Sequence, residues 1–180
     1  MGQEIQEHVT QTQRICIQAY PRLINMGNGF DAIILSNNVE SNSFESYIDQ
    51  DMQANYRALY AQEREIRELV DYLQRLKTSS IPREQDLFSC MIHGLFDEYD
   101  CYPKYPINAL ATTSVLFGSI IRYKVIDGIP LRVALAMVYQ AVRDHTTSST
   151  MYKFGLQALV QFKERLEIVH ELSDLSLLSV

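Results

Sequence analysis

The sequence predicts an all-α fold in which consecutive helices pack as antiparallel hairpins. Three observations carry the prediction. Glycine and proline are scarce, seven and five in 180 residues, and few breakers favour long helices over short strands joined by tight turns. Apolar residues recur at three- and four-residue steps through most of the chain. The breaks between these runs are short, and helices joined by short turns become antiparallel neighbours. Periodicity leaves open whether the helices stack as a solenoid or gather into an irregular bundle, because no clean internal repeat is visible.

The elements follow in order. Residues 4–20 carry Ile5, Val9 and Ile15 among Gln and Thr, a helical pattern that stops near Pro21. A short helix is expected over 28–35, with Phe30, Ile33 and Ile34 apolar. The polar stretch from Ser36 to Ser43 reads as a loop. It divides an N-terminal helical appendage, or the edge of a neighbouring module, at 1–43 from the main domain at 44–180. Tyr47, Ile48, Met52, Tyr56, Leu59 and Tyr60 mark the face of the next helix, and Ile66, Leu69, Val70, Leu73 and Leu76 that of the one after. Ser79 or Ser80 is placed to cap a further helix, with Pro82 in its first turn. Leu87, Phe88, Met91, Ile92, Leu95, Phe96 and Tyr99 give that helix a broad apolar face. Pro103 and Pro106 then bracket Lys104 and Tyr105 in an extended or turn conformation. Residues 110–123 are apolar nearly all round and should form the most buried helix. Asp127-Gly128-Ile129-Pro130 makes a turn before a helix over 131–142. A polar loop over 144–150, a helix from Met151 to about Glu167 and a last helix over 168–178 complete the pass.

Composition narrows the function. Hydrophobic residues are 47% and charged residues 21%, a globular balance rather than a disordered one. The net charge of −6 tilts against a general phosphate-backbone binder, which needs clustered Lys and Arg. Cys16, Cys90 and Cys101 are an odd number with no framework spacing, so a reducing setting is expected, cytoplasmic with the nucleus as a second compartment. No run of about 18 apolar residues predicts a membrane span. The start Met1-Gly2-Gln3 has no secretory pattern, and Gln6 stands where myristoylation expects Ser or Thr. The abrupt end at Leu177-Leu178-Ser179-Val180 reads as a cut through a longer protein.

Little in the chain points to catalysis. Cys90 and His93 are three apart with Cys101 nearby, but a paired Cys-x-x-Cys and a fourth zinc ligand are missing. No nucleophile elbow, P-loop or dinucleotide glycine pattern occurs. Asp97, Glu98 and Asp100 read as a solvated helix end, and Asp144-His145 as a cap on the following helix. No enzyme activity, cofactor or metal is expected. Tyrosine stands out instead, with eleven and no tryptophan. Tyr56 and Tyr60 lie four apart on one helical face, and Tyr99, Tyr102 and Tyr105 cluster at the proline break. Tyrosine surfaces suit peptide binding because the ring is amphipathic and loses little entropy.

Five motifs carry a resemblance. They are Leu73-Gln74-Arg75-Leu76-Lys77, the run Arg83 to His93, Leu95-Phe96-Asp97-Glu98-Tyr99 running into Tyr102-Pro103-Lys104-Tyr105-Pro106, the run Leu116 to Ile121, and the run Ser149 to Gly155. In this order they resemble a helical domain in the central region of the Not-one scaffold, the largest subunit of the Ccr–Not deadenylase complex. More narrowly, they are similar to the domain that in animals docks tristetraprolin. The resemblance covers about residues 44–166. It implies stacked HEAT-like hairpins, a solenoid like the middle domain of initiation factor four G, and no catalytic activity. It also implies that RNA-binding adaptor proteins insert short, partly apolar segments into a groove, and that other Ccr–Not subunits and neighbouring scaffold domains are partners. The family's groove aromatics fall on Tyr56, Tyr60 and Tyr105. Tyr56 is Phe in the animal form. Between Tyr60 and Ile66 this chain is shorter and lacks the animal form's prolines.

Two other readings compete. A direct RNA-binding repeat would use Arg122-Tyr123-Lys124 with Arg132 and Arg143 as a basic strip. A purely architectural domain would instead bury its tyrosines against neighbours.

Overall fold

The computed structural model describes residues 2–25 and 44–164. The all-α expectation holds: among the described residues every regular element is helical. They are α1 (Gly2–Ala19), a 3-10 turn (Pro21–Asn25), α2 (Ser46–Tyr60), α3 (Ile66–Lys77), α4 (Pro82–Asp97), a second 3-10 turn (Glu98–Lys104), α5 (Ile107–Arg122), α6 (Gly128–Arg143) and α7 (Thr150–Phe162). The helix expected over 28–35, the loop to Ser43 and the helix over 168–178 lie outside the described residues. The chain divides into two compact units, Cys16–Tyr99 and Met1–Ile15 with Asp100–Val180.

In the 16–99 unit, α4 is the central element. Leu87, Phe88, Ser89, Cys90, Met91, Ile92, Leu95 and Phe96 are all buried, because α2, α3 and the first 3-10 turn all pack on it. Burying each large apolar side chain contributes roughly 2 kcal/mol. The clearest two-faced helix is α3. Leu69, Val70, Leu73 and Leu76 are buried while Arg67, Glu68, Asp71 and Arg75 face outward. The 3-10 turn is tied to α4 by polar contacts. Asn25 Nδ2 donates to the Gln85 carbonyl at 2.8 Å, and the Arg22 guanidinium forks onto Asp86 at 2.8 and 3.3 Å. Two turns lack the expected glycine. Gln62 and Lys124 sit at φ 59° and 55°, each directly after a helix end. Glu63 N–H reaches Ala58 O at 2.9 Å and Val125 N–H reaches Ile120 O at 3.0 Å. These are six-to-one Schellman bonds, which satisfy carbonyls that the helix end would otherwise orphan.

In the other unit, α7 packs on both α5 and α6, while α5 and α6 touch far less. The same pattern holds for α2, α3 and α4, so each unit places its third helix against the first two. α5 buries nine of its 16 residues, but α4 and α6 bury as many, so it is not the single most buried helix the sequence suggested. Its Thr113 and Ser114 hydroxyls are satisfied by the carbonyls four residues back, at 2.8 and 2.6 Å. Close approach of α5 and α7 depends on Gly118, where a Cβ would stand 2.3 Å from the Ala158 carbonyl oxygen. A run of rings, Phe117, Phe154, Tyr102 and Tyr105, is in edge-on and tilted contact, with centroids 5.4, 5.1 and 5.2 Å apart. Residues 2–15 of α1 are held to this unit by Arg14–Asp100 at 3.1 Å and Glu7–Arg143 at 2.6 Å.

Several local expectations are corrected. The N-cap of α4 is Ile81, and Ser79 Oγ instead accepts from the Ile81 N–H at 3.1 Å. Asp144 ends α6 rather than starting α7, whose cap is Ser149, accepting from Tyr152 N–H at 3.0 Å. The segment before Tyr105 is a 3-10 turn containing Pro103, since proline lacks only the donor and that turn does not require it.

Candidate functional site

Tyr56 and Tyr60 occupy one stripe of α2, next to the inward stripe of Ile48 and Leu59. Their ring centroids are 6.5 Å apart and tilted by 31°. Tyr56 is half-buried and its hydroxyl donates to the Met91 carbonyl of α4 at 2.5 Å. That bond makes Tyr56 part of the α2–α4 contact as well as of the surface. Tyr60 is 36% exposed. Tyr105 belongs to the other unit, half-buried against Tyr102. The residues expected to share a groove are thus a pair on α2 and a single ring in a second unit.

A second aromatic surface of the 16–99 unit escaped the sequence reading. Tyr47, Asp51 and Asn55 form a stripe at four-residue spacing on α2. Arg83 lies over the Tyr47 ring at 4.9 Å and pairs with Asp51 at 2.6 Å. Arg64 and Arg75 lie over the Tyr72 ring at 4.8 and 5.0 Å, and Arg64 also donates to Asn55 Oδ1. Arg83 is within electrostatic reach of Tyr72 as well. In hindsight the signal is Tyr72 and Arg75 three apart on an exposed helix face. The contacts from Arg64 and Arg83 come from outside that helix.

The residues weighed for chemistry are placed plainly. Cys90 is buried, its thiol 3.4 Å from Asp49 Oδ1 and 3.7 Å from Met52 Sδ. Burial, then the hydrogen bond and charge of Asp49, push its pKa up to about 12, so the group stays a thiol rather than a ligand thiolate. Burial likewise holds His93 below the usual imidazole value, against the opposing pull of Asp97. Its Nε2 is buried without a hydrogen-bond partner. Cys101 is exposed in the other unit. Among the described residues no group of three or more His, Cys, Asp or Glu side chains is placed to hold a metal ion. Nor, among them, is any helix long and apolar enough to cross a membrane. Asp97, Glu98 and Asp100 are exposed. In the basic strip, Arg143 is engaged by Asp144 and Glu7, and the hydrogen bond from Arg143 holds Asp144 below the usual carboxylate range.

The family model described as the CCR4-NOT transcription complex subunit 1 TTP binding domain matches residues 31–169. The chain is 44% identical over 166 residues to General negative regulator of transcription subunit 1 of Schizosaccharomyces pombe, covering 92% of this chain and 8% of that protein. It is 38% identical over 148 residues to the Saccharomyces cerevisiae protein of the same name, covering 82% of this chain and 7% of the relative. CCR4-NOT transcription complex subunit let-711 of Caenorhabditis elegans is 25% identical over 134 residues, which are 73% of this chain and 5% of that protein. The chain therefore spans less than a tenth of each of these relatives. Among solved structures, the N-terminal domain of the yeast Not1 superposes with a TM-score of 0.86 at 35% identity, covering 94% of this chain and 32% of that one.

Proposed function

Because the chain belongs to the family of the CCR4-NOT transcription complex subunit 1 TTP binding domain, we propose that it is a non-catalytic scaffold domain that docks short peptide segments of RNA-binding adaptor proteins. Docking of this kind links target mRNAs to deadenylation and translational repression, in the cytoplasm and, as a second compartment, the nucleus. The observation that carries the reading is the Tyr56–Tyr60 pair. Two large amphipathic rings stand together on α2, one half-buried with its hydroxyl bonded to Met91 and the other 36% exposed. A few aromatic anchors typically supply most of the energy of a peptide interface. A single segment on such a surface covers less than a standard interface, so affinity is expected at roughly micromolar Kd.

The test is fluorescence anisotropy with short apolar peptides tiled from RNA-binding regulators. Tyr60→Ala is the cleaner probe, because Tyr56→Ala also removes the bond to Met91. Saturable binding weakened by Tyr60→Ala is the expected result, with Tyr105→Ala testing the ring of the other unit by itself. Binding that ignores both substitutions would sink the assignment of these rings. The basic-strip alternative loses support from the two carboxylates on Arg143. The architectural alternative is favoured by one observation, the exposed pair Leu156 and Val160 at helical spacing on α7. It predicts that no tiled peptide binds.

A further inference from the structure

Tyr72 holds two guanidinium groups over one ring, and among the described residues neither Arg64 nor Arg75 engages a carboxylate. Their distances from the ring centroid place them at most about 10 Å apart, near one Debye length at physiological salt. A negative group arriving there feels both charges. Three carboxylates nearby are already committed. Asp51 binds Arg83, Asp71 binds Arg67, and Glu68 accepts from the Glu65 backbone N–H at 3.1 Å. Arg64 and Arg75 are thus two cations without a carboxylate partner among the described residues.

We propose that this platform, Tyr47 and Tyr72 with Arg64, Arg75 and Arg83, docks a short acidic peptide segment whose carboxylates bridge Arg64 and Arg75. The planar guanidinium fork matches a carboxylate in two hydrogen bonds. Stacking on tyrosine holds the forks in place before the ligand arrives. The flanking Asp51, Glu68 and Asp71 restrict the attraction to a few residues. They repel a continuous phosphate chain, and Arg64, Arg75 and Arg83 already occupy the ring positions on which bases would stack. An acidic peptide therefore fits where RNA does not. The surface lies on the 47/51/55 stripe of α2, apart from the Tyr56–Tyr60 stripe, and the proposal stands independently of the function assigned to that pair.

The experiment uses the 180-residue chain and three labelled probes. One is a short peptide of alternating acidic and serine residues, one is its twin with Asn and Gln for Asp and Glu, and one is oligouridylate. Saturable binding of the acidic peptide is expected, with the amide twin weaker by about tenfold or more, as charged hydrogen bonds outweigh neutral ones. Arg75→Glu and Arg64→Glu should each cost about tenfold or more on the same grounds. Arg75→Gln, which removes the charge without reversing it, should cost less than Arg75→Glu. Arg57→Glu, an exposed arginine about 200° around α2 from Asn55, should change little, and circular dichroism checks that each variant is folded. Equal binding of the twin peptides, equal loss with Arg57→Glu, or displacement of the acidic peptide by oligouridylate each overturns the proposal. Apolar peptides titrated against Arg75→Glu should bind as before, which separates failure here from failure at Tyr60.

Discussion

Gly118→Ala and Gly94→Ala make the same chemical change inside two helices, and the structure gives them opposite signs. Replacing glycine by alanine within a helix gains about 1 kcal/mol in propensity. At Gly118 that gain meets a backbone. The new Cβ would stand 2.3 Å from the Ala158 carbonyl oxygen and 2.7 and 2.8 Å from Gln161 Cβ and Cγ. Reaching even 3.0 Å needs a further 0.7 Å, and a carbonyl within a helix cannot rotate aside alone. So α5 and α7 must part along their shared contact. Overpacking of this kind costs about 3 kcal/mol at its upper end. Set against the propensity gain, the net loss is about 2 kcal/mol, or roughly 4–8 °C in Tm for a chain of this size. At Gly94 the nearest atom is Met52 Sδ at 3.0 Å, the far part of a flexible side chain that gives way. Gly94→Ala should therefore be neutral or stabilising by up to about 1 kcal/mol. Urea unfolding followed by far-UV circular dichroism measures both. If Gly118→Ala proves as stable as Gly94→Ala, the tight α5–α7 approach is wrong.

Two further outcomes follow from the titratable groups. Cys16 and Cys101 are exposed and Cys90 is buried with its pKa at about 12. Ellman's reagent should thus label the first two promptly and Cys90 on the order of a thousandfold more slowly until denaturant is added, and three equal rates would refute this. His93 has a folded-state pKa below its unfolded value, so the unfolded chain takes up its proton first as pH falls. Stability should decline as pH drops below the ordinary imidazole value of 6.5, down to the lower folded value. His93→Gln should flatten that slope in thermal melts across this range, and an unchanged slope would assign the pH dependence elsewhere.

The sequence alone determined the helices and most of their faces. A 3.6-residue repeat writes itself into the spacing of Leu69, Val70, Leu73 and Leu76 whatever the helix packs against. It also placed Tyr56 and Tyr60 together, since four residues return to the same side. Helix ends were less legible. Gln62 and Lys124 adopt left-handed backbone that carries no glycine signal, and Ser149 rather than Asp144 caps α7 because its hydroxyl is the one that meets the Tyr152 N–H. Tertiary structure alone decided which helices meet. Each unit sets its third helix against the first two, a repetition of packing without repetition of sequence. What makes it possible at α5 and α7 is the empty space at Gly118, a property of two segments jointly. The same reason hid the Arg64–Tyr72–Arg75 stack and the bond from Tyr56 to Met91. Periodicity reports what one helix does by itself, whereas those contacts exist only once separate segments are brought to a common surface.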